Sequence, residues 1–91
     1  MNASEITDKY NHLRHYFRQH GAEKIIIWSS KVKDDGKGMI LEIALDRVRN
    51  REKLAQDLQT DWKDDRIQIT YLEDEASKEL AAEIEADGMI L

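Results

Sequence analysis

The chain has no cysteine and no proline, only four glycines, and a single phenylalanine among its 91 residues. Without cysteine there is no disulfide to staple a small fold and no thiolate metal site. Without proline the usual breakers are missing, and glycine alone punctuates the chain. No apolar run approaches the roughly 20 residues that a membrane-spanning helix needs. Asn2, Ser4, Glu5 and Asp8 are polar where a secretory signal would be charged and then apolar. The expectation is a cytoplasmic protein with no membrane contact, folded as one small domain over residues 1–91 with a modest core.

Charge is plentiful but unevenly placed. The formal net charge is −5. Residues 1–53 hold eleven Lys/Arg against eight Asp/Glu, and residues 54–91 hold three against eleven. The basic half contains Lys31, Lys33, Lys37, Arg47, Arg49, Arg51 and Lys53. Acidic balance overall disfavours broad nucleic-acid binding. A local basic rim would suit a phosphate or an acidic partner, and a solvated surface of mixed charge is the plainer reading.

Hydrophobic periodicity gives the elements. Ile6, Tyr10, Leu13 and Phe17 recur at helical spacing within residues 4–20, with Ser4 as a plausible N-cap and Gly21 as the C-terminal stop. Residues 24–28 are apolar at their centre, as an interior strand covered on both faces would be. Residues 31–38 form a lysine-rich loop with Gly36 and Gly38, short enough to join antiparallel strands. The second strand covers residues 39–45, where Met39, Leu41, Ile43 and Leu45 share one face and Ile40, Glu42 and Ala44 the other. A polar helix over residues 47–62 follows, with Leu54, Ala55, Leu58 and Trp62 inward and Asn50 as a capping residue. Residues 66–71 alternate as a third strand. Residues 74–87 read as a helix capped by Asp74, with Leu80, Ala81 and Ile84 inward, and Gly88 ends it before an apolar tail. The order α-β-β-α-β-α(-β) predicts an α/β (α+β) fold, a small mixed sheet with helices packed against it.

These elements, with Trp28-Ser29-Ser30-Lys31-Val32-Lys33 and Ile40-Leu41-Glu42-Ile43-Ala44-Leu45-Asp46, resemble the minimal nucleotidyltransferases of the DNA polymerase beta-like superfamily. That family has aromatic-Gly-Ser-Arg-x-Arg at the first segment, Asp-x-Asp at the second and a third Asp on the next strand, here in Arg66-Ile67-Gln68-Ile69-Thr70. The resemblance implies that three Asp groups would hold two Mg²⁺ ions, which neutralise a nucleoside triphosphate and orient the attacking hydroxyl. Carried over by position, Ser29 replaces the glycine and Ser30 keeps the phosphate-facing hydroxyl. Ile40 and Gln68 replace the first and third Asp, and Glu42 replaces the second. Ser30, Lys31 and Lys33 are the residues that would meet phosphate. With two of three negative charges gone, no metal and no cofactor are expected.

The resemblance therefore implies a pseudoenzyme, a binding or regulatory module. Its partner would be a protein, either a helical HEPN-type protein, with this chain as antitoxin or accessory subunit, or a second copy. The rival expectations are an active Mg-dependent enzyme using Glu42 with Asp34, Asp35 or Asp46, and a small nucleic-acid-binding domain. His12 and His15 at i, i+3, with His20 beyond them, lack an evident third ligand for zinc and read as surface histidines. Tyr10, Phe17, Trp28, Trp62 and Tyr71 read as core or subunit-contact residues.

Overall fold

Asn2, rather than Ser4, caps the first helix. In the computed structural model, which describes residues 1–91, the Asn2 side chain accepts a hydrogen bond from the Glu5 backbone N–H at 2.9 Å and opens α1, Ala3–Gln19. Glu5 then sits in the first turn, where the helix dipole favours a carboxylate. Leu13 and Phe17 on the inner face are fully buried. After the helix, Gly21 turns the chain at φ 103°, a conformation open to a residue without a Cβ.

The hairpin that follows pairs β1, Ile25–Val32, with β2, Met39–Leu45, antiparallel. The first strand runs past the apolar run and the paired serines, so Lys31 and Val32 are strand residues rather than the first members of the loop. Pairing decides this, because β2 offers a ladder up to the hairpin's closing bond from Lys33 N–H to the Gly38 carbonyl at 2.8 Å. Gly38 is packed so closely that a Cβ there would stand 1.9 Å from the Asp64 carbonyl oxygen. Within β1 the register shifts between Ile27 and Ser29, leaving Trp28 as an extra residue with no direct partner.

The second helix, α2, is Arg51–Asp61 and starts later than Arg47. Asn50 caps it by accepting from Lys53 N–H at 3.1 Å. The chain before it is held back by Asp46, whose carboxylate accepts the N–H groups of Glu23 at 3.0 Å and Arg47 at 2.8 Å. α2 carries the chain to β3, Arg66–Tyr71, which pairs parallel with β2. A single 3₁₀ turn, Glu75–Ser77, leads into α3, Lys78–Asp87. Asp74 does not cap this segment with its side chain, because Arg51 binds its carboxylate at 2.7 and 3.0 Å. Leu80 is 37% exposed, contrary to its expected inward position, and Ile84 is the one fully buried residue of α3. The tail forms β4, Met89–Ile90, antiparallel to β1.

The result is a mixed α/β fold with a four-stranded sheet in the order β3-β2-β1-β4. The main core lies on one face, where Leu13 and Phe17 of α1 and Leu54 and Leu58 of α2 meet Ile25, Ile27, Leu41, Ile43 and Leu45. On the other face α3 sets Ile84 against Ile26 and Ala44, with Trp28 and Leu72 beside them. Helices on both faces explain why Ile25, Ile26 and Ile27 are all buried in succession. No helix is long and apolar enough to cross a membrane.

Candidate functional site

Register places three of the singled-out residues in one row. Ser29 of β1 stands opposite Glu42 of β2, and Glu42 stands beside Gln68 of β3. The next row is Lys31, Ile40 and Arg66. Partners across a ladder share a face, and residues two apart on a strand share it too. The two rows therefore form one strip on the α3 side of the sheet, continuing the row of Ile26 and Ala44 that Ile84 covers. The strip lies past that cover. Ser29, Lys31, Arg66 and Gln68 are exposed, and Ile40 and Glu42 are half-buried.

Ser30 stands opposite Leu41, on the other face of the sheet. The bulge at Trp28 causes this, because one extra residue inverts which side every later residue faces. Without it, Ser30 rather than Ser29 would share the strip. Lys33 is also removed from the strip, since its ammonium donates to the Asp64 carbonyl at 2.7 Å and holds the turn before β3. Of the three residues that would meet phosphate, Lys31 alone lies there.

The donor set does not fit a magnesium pair. Glu42 is the strip's one carboxylate, flanked by an isoleucine and an amide at the two other positions, and it makes no ion pair or side-chain hydrogen bond. Asp35 accepts from Lys37 N–H at 2.9 Å in the hairpin turn, and the turn begins roughly 10 Å along the ladder from Glu42. Asp46 is committed to Glu23 and Arg47, as described. Burial raises its carboxyl, but those backbone N–H groups and that of Lys24 outweigh burial and hold it below the ordinary carboxylate range. No group of three or more His, Asp or Glu side chains is arranged to hold a metal ion.

Much of the basic rim is bonded within the molecule, with the Lys31 and Lys37 ammonium groups left free. Arg47 pairs with Glu23 at 3.0 Å, Arg51 with Glu73 at 2.9 Å and Asp74 at 2.7 Å, and Lys53 with Asp57 at 3.4 Å. Arg49 bonds the Gln19 carbonyl. Lys9–Asp65, Lys24–Glu85 and the Arg51 pairs join the basic half of the chain to the acidic half. His12 and His15 are exposed, and His20 faces Asp57 at 3.4 Å. Tyr16 donates to Asp61 at 2.9 Å, and burial followed by that bond holds its phenol well above the ordinary range.

One feature lay outside the sequence reading. Between α2 and β3 runs a groove of about 370 Å³ lined by Leu54, Leu58, Trp62, Ile67, Ile69 and Tyr71, with Arg51 at one end. The Arg51 guanidinium lies 3.8 Å from the Tyr71 ring centre, within cation–π range. The alternation of residues 66–71 was its only sequence signal. Comparison with protein-family models, curated proteins and solved structures returns no match in any of the three.

Proposed function

We propose that this chain is a catalytically degenerate nucleotidyltransferase-type domain that works as a binding or regulatory module. The observation that carries the reading is the strip itself. Two neighbouring strands, β2 and β3, bring positions 40, 42 and 68 together on one face, and only Glu42 supplies a carboxylate there. Charge count largely sets affinity at hard-cation sites, so a lone carboxylate cannot grip a dication pair. The mixed sheet, with its antiparallel first pair and parallel third strand, supports the reading. So does the net charge of −5, which disfavours broad binding to nucleic acid.

The partner class follows from the resemblance: a helical HEPN-type protein, which this chain would serve as an antitoxin or accessory subunit in the cytoplasm. The test is incubation with labelled nucleoside triphosphates, Mg²⁺ and a HEPN-type partner. Stable complex formation without label transfer is the expected result. Label transfer that Glu42→Gln abolishes would overturn the reading.

A further inference from the structure

β3 ends the sheet, and no strand lies beyond it. Leu72 donates its N–H to the Leu45 carbonyl of β2 at 2.8 Å. Backbone groups alternate sides along a strand. Arg66, Gln68 and Thr70 therefore turn theirs toward β2, and Ile67, Ile69 and Tyr71 turn theirs outward. Those three residues also line the groove under α2 with their side chains. Proteins that keep such an edge solitary protect it with proline, lysine or a bulge. β3 has none of these, and Arg66 is its one charge.

We infer that this edge pairs with β3 of a second copy, antiparallel, about a two-fold axis at Ile69. Register favours a second copy. With Ile69 opposite Ile69, Ile67 stands opposite Tyr71, and every outward N–H of the strand finds a carbonyl; the Tyr71 carbonyl, which already accepts from the Asp74 N–H at 3.2 Å, takes a second donor. Sliding by one step that keeps faces matched brings in either Glu73, outside the strand, or Asp65, whose N–H already donates to the Trp62 carbonyl. Side-chain chemistry agrees. Ile67 meets Tyr71 on the groove face, Gln68 meets Thr70 on the other, and no like charges stand opposite one another.

Charge complementarity adds to this. The strand is entered at Arg66 and left at Glu73 and Asp74, where Arg51 offsets one of the two carboxylates. An antiparallel two-fold brings each Arg66 to the acidic end of the other copy. Each groove then runs into its symmetry mate, and Leu54, Leu58 and Trp62 gain the second copy's Ile67 and Ile69 as cover. Such a dimer takes Arg66 and Gln68 of the strip to its seam and leaves Ser29, Lys31, Ile40 and Glu42 clear of it, and it does not rest on the function proposed above.

Sedimentation equilibrium from micromolar to near-millimolar chain tests this. A mass twice that of one chain is expected at the upper end. Ile69→Pro removes one outward N–H while sparing the bonds to β2. It should stay monomeric with an unchanged circular dichroism spectrum. Ile69→Lys, which sets two ammonium groups at the axis, should do the same. Amide exchange of the unmutated chain is the check free of folding effects, with the Ile67, Ile69 and Tyr71 N–H groups slow at high concentration and fast at low. A wild-type chain monomeric throughout overturns the inference, even if the edge then captures a foreign extended peptide. A dimer in which those three amides exchange fast, or which survives both variants, overturns it equally.

Discussion

Asp65 should be the most consequential charged residue in this molecule. It stands at the turn before β3 with its side chain 4% exposed. One of its oxygens accepts from the Lys9 ammonium at 2.5 Å and from the Met39 backbone N–H at 2.7 Å. It thus ties α1, the start of β2 and the entry to β3 at one point. Asp65→Ala leaves an ammonium and a backbone N–H without their partner. Breaking a buried pair from one side costs about 3–5 kcal/mol. The Lys9 side chain is 14% exposed, and its flexible stem lets the ammonium reach some water, so about 2–3 kcal/mol is expected from the charge. The orphaned Met39 N–H adds about 1 kcal/mol. Small domains are stable by roughly 5–15 kcal/mol, so this one change removes a large fraction. Asp65→Asn keeps an acceptor for Met39 and should cost less, about 1–2 kcal/mol. Adding Lys9→Met to Asp65→Ala should recover most of the loss, because no buried charge then remains. Urea unfolding of the four chains in the cycle measures these terms. An Asp65→Ala loss below about 1 kcal/mol, or no coupling between the two positions, would refute the reasoning.

Three further outcomes are expected. Asn2→Ala should lower stability by about 1 kcal/mol and Ser4→Ala by a few tenths at most, and equal effects in thermal unfolding would contradict the cap assignment. Gly38→Ala drives a methyl into the Asp64 backbone, so a loss of about 2–3 kcal/mol, or roughly 10–20 °C in Tm, is expected, and a Tm within a few degrees of wild type would show that the turn yields. Asp46 has a folded pKa below its ordinary value, so its contribution is present above the unfolded pKa of about 3.9 and is lost as pH falls through the folded one. Stability measured downward through that window should therefore fall less steeply in Asp46→Asn than in wild type, and parallel curves would count against the assignment.

The elements were legible wherever apolar period and length agreed. Ile25–Ile27, Met39–Leu45 and Arg66–Tyr71 are strands in the structure as in the sequence, because burial on one or both faces leaves a pattern. The boundaries set by competition were not legible. Asn2 and Ser4 are both good caps, and the Glu5 N–H chose between them. Lys31 and Val32 read as the start of a loop until β2 supplied partners. Asp74 fits a cap by local rules, but Arg51, distant in sequence, took its carboxylate. The shared face of Ile40 and Glu42 was legible from the period of two, and the face of Ser29 and Ser30 was not. A one-residue bulge carries no composition signal, yet it decides that Ser29 and not Ser30 joins Glu42 and Gln68. The α2–β3 groove was invisible for a similar reason, since it exists only once the two elements sit side by side.

The strip's chemistry and its stability bear on one another. Positions 42 and 68 sit on neighbouring strands about 4.8 Å apart, and positions 40 and 42 are about 7 Å apart along one strand. Three ionised carboxylates at that spacing, with no dication between them, would repel by on the order of 1 kcal/mol per close pair on a surface of intermediate dielectric. A transferase tolerates this because the metal pair neutralises the cluster. With Ile40 and Gln68 in place, no two of the three positions carry charge. Under the proposed reading, the replacements that end the grip on magnesium also end the need for it. The face can then fold and be presented to a protein partner whether or not an ion or nucleotide is at hand.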